Sequence, residues 1–517
     1  MQDGAVHTVH AAHATPCGSR RRDAHDRVRA PVPWGAALSL PERLLADPYR
    51  PLALSRGMAR PIRVRGRVVA GQRPVRGARV SDGRTVVPVD ADGRFDFVSS
   101  DAQRFLTVSP PSGYALPTSP NGALQLHTPL PRAASELSHQ FQLTALPDAD
   151  ERHSFLVLAD PQTQDDFEMQ RFHAETVPDV VATVQGLGER RAFGVGCGDL
   201  LYDHLAMYPE YERAVKRMGI PFAQVAGNHD LDYDARTAEG STATFERHFG
   251  PPHFSFDVGQ VHYLVLHDVF WHGAGYLGYL PDEQLEWVKQ DLVLVEPGRT
   301  VIVFLHIPVV SSQYARLGER APGISNSLTN REALYRLLEG HRAHIIAGHT
   351  HESEHRTQGN IHEHVTGAVC GAWWSGDICF DGTPNGYGVY DVDGERVTWR
   401  YKATGRDANH QLRLYAPRSD RTAPGNLVAN VWDWDPSWTV RWFEDGQPRG
   451  LMSRRRGTDP LSEQLHRGET LPARRTWVEP MVTHHLFYAA ATPGAREWRV
   501  EAHDGTGRSH SETLRAG

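Results

Sequence analysis

Four cysteines in 517 residues, at Cys17, Cys197, Cys370 and Cys379, are too few and too scattered for a disulfide scaffold. None falls in a C-x-x-C pair, which excludes a zinc knuckle and a thioredoxin-like redox site. Cys370 and Cys379 could close a loop as a disulfide or remain two shielded thiols. No run of 18 apolar residues occurs, so no spanning helix is expected. A signal peptide is also missing: Arg20-Arg21-Arg22 leads into more polar sequence, and the apolar stretch at 34–40 is short and late. As written, the chain reads as cytoplasmic. A basic excess is absent as well, and a net charge of −7 does not suit a protein that coats nucleic acid.

What is present points to a multidomain globular protein. A chain of 517 residues exceeds one ordinary core, and 40% hydrophobic with 23% charged residues is a globular composition. Residues 1–60 are rich in Arg, Ala, Pro and His without periodicity and read as a poorly ordered extension; His7, His10 and His13 offer the alternative of a metal-binding tail. Residues 61–147 are short alternating runs broken by Asp-Gly turns, the pattern of a small antiparallel β-sandwich. From 148 to 383 the texture is α/β. Buried-type runs such as FLVLA (155–159), AFGVGCG (192–198), PFAQVAG (221–227), VHYLVL (261–266) and TVIVFL (300–305) alternate with helical stretches such as 281–292, where Pro281 and Asp282 suit a first turn. Residues 384–517 return to β, with recurrent Asp-Gly turns and dense Trp, and predict a C-terminal β-rich domain.

Polar residues stand at the carboxyl ends of five of the α/β strands, the edge at which open α/β sheets bind ligands. They are Asp160 in LADPQ, Asp199 and Asp203 in GCGDLLYD, Asn228, His229 and Asp230 in GNHD, His306 in FLHIP, and His349 and His351 in AGHTH. Carboxylates, an amide and imidazoles form a mixed oxygen and nitrogen shell suited to two hard or borderline divalent cations. Any one of the histidines alone would read as a packed core residue; the strand-end set reads as a site.

The order Asp-x-Gln, Gly-Asp, Gly-Asn-His-Asp, His, Gly-His-x-His resembles the calcineurin-like metallophosphoesterase signature, in its bacterial three-part branch, over roughly Ile62 to the C-terminus. The resemblance implies an α/β core, a calcineurin-like four-layer β-sandwich flanked by helices, making 148–383 the catalytic domain. It implies two divalent metal ions, Mn, Fe, Zn or Mg. Asp160 and His351 would hold the first with Gln162 near it, Asn228, His306 and His349 the second, and Asp199 both. A hydroxide bridging the two ions would attack a phosphomonoester or phosphodiester, His229 would face the leaving group, and Asp203 and Asp230 would orient the ligands. Two departures stand out: Gln162 occupies the place of the usual histidine, and Tyr202-Asp203-His204 replaces the familiar Asp-Arg-Gly ending, which argues against close kinship with the protein Ser/Thr phosphatases. Trp373 and Trp374 either stack on substrate or pack against the tail domain. The loops 268–280, 311–326 and 371–387 are where specificity is expected. The expected partner is a phosphoester substrate, with no nucleic acid, and no feature sets an oligomeric state. A non-catalytic scaffold and a nuclease are the alternatives; the intact ligand set opposes the first, and the acidic balance without a basic-aromatic track opposes the second.

Overall fold

The strand Arg152–Leu158 explains why the central runs are apolar throughout rather than alternating. Phe155 and Val157 face Tyr263, Ile302 and Phe304, whereas Leu156 and Leu158 face Val177, Val180 and Tyr208. A strand covered on both faces needs no polar side. The neighbouring sheet repeats the rule: Tyr263 and Ile302 point inward, while Leu264, Val301 and Val303 pack on Trp287 and Leu334.

These contacts define the architecture in the computed structural model, which describes residues 59–516. One sheet has the order Phe222–Val225, Arg191–Cys197, Arg152–Leu158, Gly386–Asp393, Arg396–Ala403, with the first three strands parallel. The second runs Phe254–Val258, Val261–Val265, Thr300–Phe304, Arg342–Ala347, Ile361–Val365, Glu354–Gln358, parallel through its middle four. The sheets lie face to face. Helices Val177–Gly186 and Tyr208–Met218 cover the first, and Asp282–Leu292 and Arg331–Leu338 cover the second, giving four layers. Helix Asp282–Leu292 starts after Pro281, carries Asp282 and Glu283 in its first turn, and buries Trp287, Val288 and Leu292 on one face.

The expected division between 383 and 384 falls ahead of a hairpin that completes the five-stranded sheet. Gly386–Asp393 pairs antiparallel with Arg152–Leu158 and is followed by Arg396–Ala403. The hairpin's Asp-Gly turn and alternating pattern match the tail in sequence, but the free edge of Arg152–Leu158 requires a partner. Beyond it, two four-stranded antiparallel sheets pack around Leu427, Val440, Trp442, Trp498 and Val500.

At the other end, two small sheets enclose Ile62, Val64, Val68, Val80 and Leu106. One pairing departs from the expected antiparallel pattern: Glu136–Gln142 runs parallel to Pro61–Ala70. The chain visits the other sheet before returning, and such a long crossover permits a parallel partner. His7, His10, His13 and Cys17 lie outside the described residues. Cys197, Cys370 and Cys379 are buried free thiols. Among the described residues, no helix is long and apolar enough to cross a membrane.

Candidate metal centre and substrate cleft

Asp160, Asp199, Asn228, His306 and His349 each stand two or three residues past the carboxyl end of a parallel strand, three from one sheet and two from the other. The turns that present them are tight. Asp160, Gln162, Asp199, Asp203, His349, His351, Trp373 and Trp374 all adopt φ between 39° and 70°, and only three other non-glycine residues of the described chain have positive φ. Each such residue costs about 1–3 kcal/mol and persists where the surroundings over-determine it, which happens at functional sites. Two motif glycines are there for space. A Cβ on Gly198 would stand 2.1 Å from His306 Nδ1, and one on Gly227 would stand 2.2 Å from Asp199 Oδ1.

The side chains converge as two groups with Asp199 between them. On one side, His306 Nε2 lies 3.2 Å from Asp199 Oδ1, 3.1 Å from Asn228 Oδ1 and 3.2 Å from His349 Nδ1. His306 is oriented by its Nδ1, 3.1 Å from the Cys197 carbonyl oxygen. On the other side, His351 donates Nδ1–H to the Gly371 carbonyl at 2.7 Å, which leaves Nε2 as the free lone pair, 3.6 Å from Asp160 Oδ1. Both Asp160 oxygens accept the His349 backbone N–H, at 3.0 and 2.9 Å. Gln162 donates its amide N–H to Asp199 Oδ2 at 2.7 Å, and its oxygen lies 3.8 Å from Cys370 Sγ. A half-turn of the amide would exchange the two ends, so this side chain can offer either a donor or a ligand oxygen.

These residues could hold a pair of divalent cations. His351 Nε2 is buried without any partner, and the ligating atoms of Asp199, His306 and His349 lie within 4.8 Å of one another. The charge balance points the same way. Burial raises Asp160 to about 8, with the Asp199 charge adding to it. Burial also opposes ionised Asp199 and protonated His306, yet their mutual attraction prevails: Asp199 is held well below the usual carboxylate range and His306 rises to about 10. The paired carboxylates therefore favour positive charge beside them. Burial and the His306 charge lower His349 to about 3, and burial lowers His351 to about 4, so both present lone pairs.

His229 stands apart from these two groups. Its Nδ1 lies 2.6 Å from Asp203 Oδ1, its ring stacks on Tyr202 at 4.2 Å, and its Nε2 is 4.0 Å from Asp199 Oδ2. Burial lowers its basicity, but Asp199 and Asp203 outweigh that and raise it above the ordinary imidazole value. Asp230 is fully buried and accepts from the backbone N–H of Gly227 and Leu200 and from the Tyr208 hydroxyl, tying the GCGD and GNHD turns together.

The centre opens into a cavity of about 240 Å³. Its walls include Tyr276, Gln313, Asn326, Trp373 and Phe380, drawn from the loops 268–280, 311–326 and 371–387. Trp373 stacks on His351 at 4.4 Å. Trp374 does not line the cavity: it is 2% exposed, donates its indole N–H to the Pro161 carbonyl, and packs in the core, because its turn points the two neighbours opposite ways. The tail domain also reaches this rim. Trp477 lies 4.7 Å from Trp373, and Arg475 covers the Tyr202 ring at 5.1 Å while donating to Gln164 and to buried Glu168. Sequence reading had no signal for Arg475 or Trp477, which lie in an irregular stretch far from any motif. Asp268, which accepts from the His306 backbone N–H at 3.1 Å, follows a parallel strand and was findable by that position.

Comparison with known proteins places each segment. The model of the N terminal of calcineurin-like phosphoesterase matches 62–146, that of calcineurin-like phosphoesterase matches 153–353, and that of its C terminal matches 363–510. Among curated proteins, the serine/threonine-protein phosphatase CPPED1 of Mus musculus is 30% identical over 233 residues, 43% of this chain and 70% of that protein. The Bos taurus protein of the same name is 28% identical over 233 residues, again 43% and 70%. A purple acid phosphatase from yellow lupin (Lupinus luteus) seeds aligns at 12% identity with a TM-score of 0.37, covering 66% of this chain and 72% of that one. With all three segments matched in order, the chain belongs to the calcineurin-like phosphoesterase family.

Proposed function

We propose that this protein hydrolyses phosphoester bonds, in a phosphomonoester or phosphodiester, at a dinuclear divalent-metal centre. The observation that carries the reading is the placement of Asp199: one carboxylate oxygen lies against His306 and the other against Gln162, so a single side chain faces both ligand groups. Asp160 and His351, with Gln162, would hold one ion, and Asn228, His306 and His349 the other. When bound, such ions supply Lewis acidity toward the phosphoryl oxygens and make water a competent nucleophile at neutral pH.

The chain's own residues supply the rest. Asp203 fixes the ring of His229, whose Nε2 is left as the proton donor for the leaving oxygen. Asp230 and the Cys197 and Gly371 carbonyls hold the ligand loops and the imidazole tautomers in place. Trp373, stacked on His351, and Tyr276, edge-on to His349, line the cleft. The CPPED1 relatives carry the name serine/threonine-protein phosphatase, which favours a phosphomonoester and runs against the expectation, drawn from Tyr202-Asp203-His204 in place of Asp-Arg-Gly, of distance from that group.

A screen of purified protein with Mn²⁺ against an aryl phosphate, a phosphoserine peptide, a bis-aryl diester and a cyclic nucleotide tests this reading. Turnover of at least one ester, abolished by chelation and restored by Mn²⁺, is expected. Metal-loaded protein that turns over none of them favours the scaffold alternative. In the same assay, His229→Ala should lower kcat by about 10²–10⁴ for an alkyl leaving group and by less for nitrophenolate, which needs little protonation.

A further inference from the structure

A second cluster of imidazoles lies outside the catalytic centre. His344, His355, His362 and His364 come from three adjacent strands of the six-stranded sheet, Arg342–Ala347, Ile361–Val365 and Glu354–Gln358. In register His344 pairs with His362 and His355 with His364, and His362 and His364 are two apart on one strand, so all four project from the same face. That face points into the sandwich, where Trp399 of the opposite sheet meets three of the rings at centroid distances of 4.7–5.7 Å.

His364 is buried, and His344, His355 and His362 are half-buried around it. His364 is 1% exposed, and its Nδ1 has no hydrogen-bond partner. Its Nε2 is engaged 3.0 Å from His344 Nδ1, so Nδ1 is the atom left to spare. His362 Nε2 and His355 Nδ1 face each other at 3.3 Å. Two nitrogens bound at about 2.0–2.1 Å to one tetrahedral ion stand about 3.4 Å apart, so this spacing suits a shared ion. The far nitrogen of His355, Nε2, lies 2.8 Å from Asp433 Oδ1. A carboxylate behind an imidazole is the arrangement that orients a metal-bound histidine and raises its basicity. Each of His355, His362 and His364 offers one ring nitrogen within 4.8 Å of the other two. Burial lowers the basicity of His344, His362 and His364, keeping lone pairs available at neutral pH.

We propose that His355, His362 and His364 form a structural binding site for a borderline divalent cation such as Zn²⁺, with the fourth position open to water. His344 and Asp433 hold the ligand rings from behind. The donors are nitrogen only, so the site selects Zn²⁺ over Mg²⁺ or Ca²⁺. The ion links two strands of the six-stranded sheet and, through Asp433, the tail domain, so its loss loosens that junction without touching the phosphoester site. The proposal is independent of the hydrolytic reading.

Metal analysis tests it. Full-length protein stripped with chelator and equilibrated with Zn²⁺ should bind one ion more per chain than the His355→Ala/His362→Ala variant. Zn²⁺ should raise the melting temperature of wild type more than that of the variant. Equal Zn²⁺ stoichiometry in the two would overturn the proposal. Should the double variant fail to fold, Co²⁺ titration of the His306→Ala/His351→Ala protein, which has lost an imidazole from each catalytic ligand group, decides instead. Intense visible absorption of tetrahedral Co²⁺ supports the site, and its absence refutes it.

Discussion

The catalytic core meets its two flanking sandwiches in different ways. The N-terminal junction is a buried ion cluster. Arg79 of the small sandwich lies 3.5 Å from Asp257 and 3.8 Å from Asp291, and His262 spans the same two carboxylates at 2.7 and 2.8 Å. Trp287 adds an indole hydrogen bond to Ser81 at 2.9 Å. None of these residues lines the catalytic cavity. The C-terminal junction instead places Arg475 and Trp477 beside Tyr202 and Trp373, whose partners are His229 and His351. One sandwich braces the fold, whereas the other extends the rim of the site. The same kind of β module therefore does different work depending on which edge of the α/β core it meets.

Breaking the brace should give the largest effect in free energy. His262→Leu leaves buried Asp257 and Asp291 with only the longer contacts of Arg79 and Arg299, and removing one partner from such a network costs about 3–5 kcal/mol. Burial lowers the His262 pKa, but Asp291 and Asp257 together raise it above the unfolded value near 6.5. Its contribution is therefore complete below that value and is lost as pH rises through the folded pKa. The stability gap between wild type and variant, read from denaturant unfolding, should be widest below about pH 6.5 and should narrow as the pH rises above it. Rates per folded molecule should be unchanged. A kcat loss at constant fold would erase the distinction between the two junctions.

Arg475→Ala should act in the opposite sense, with KM for an extended substrate rising about tenfold, equivalent to about 1.4 kcal/mol, and stability changing less than in His262→Leu. Trp477→Ala should raise KM by a smaller factor, on the order of threefold, since half of that side chain is exposed. Both variants should bind a minimal aryl phosphate as wild type does. Equal effects on small and extended substrates would place these residues outside the substrate path.

Much of the proposed ligand set could be read in the sequence because metal ligation would tie residue type to strand-end position. Asp160, Asp199, Asn228, His306, His349 and His351 announce themselves two to four residues past apolar runs, and folding brings them into two adjoining groups around Asp199. Contacts made from a distance were not legible. The hairpin Gly386–Asp393 and Arg396–Ala403 reads as tail because its local pattern is that of the tail, while its assignment depends on a free edge more than two hundred residues earlier. The neighbours Trp373 and Trp374 are alike in sequence, and only their left-handed turn sends one to the cavity and the other to the core. The histidines at 355, 362 and 364 look like ordinary strand residues until the register sets them face to face.

The account rests most heavily on Asp199, the one carboxylate that faces both ligand groups. Metal content and turnover of Asp199→Asn, measured side by side with wild type, test it most directly. The variant should fold normally, fail to retain both catalytic ions, and lose at least about 3 kcal/mol of transition-state stabilisation, more than a hundredfold in kcat/KM. A variant with wild-type turnover, or wild-type hydrolysis that survives exhaustive chelation, would contradict a dinuclear centre organised around this residue.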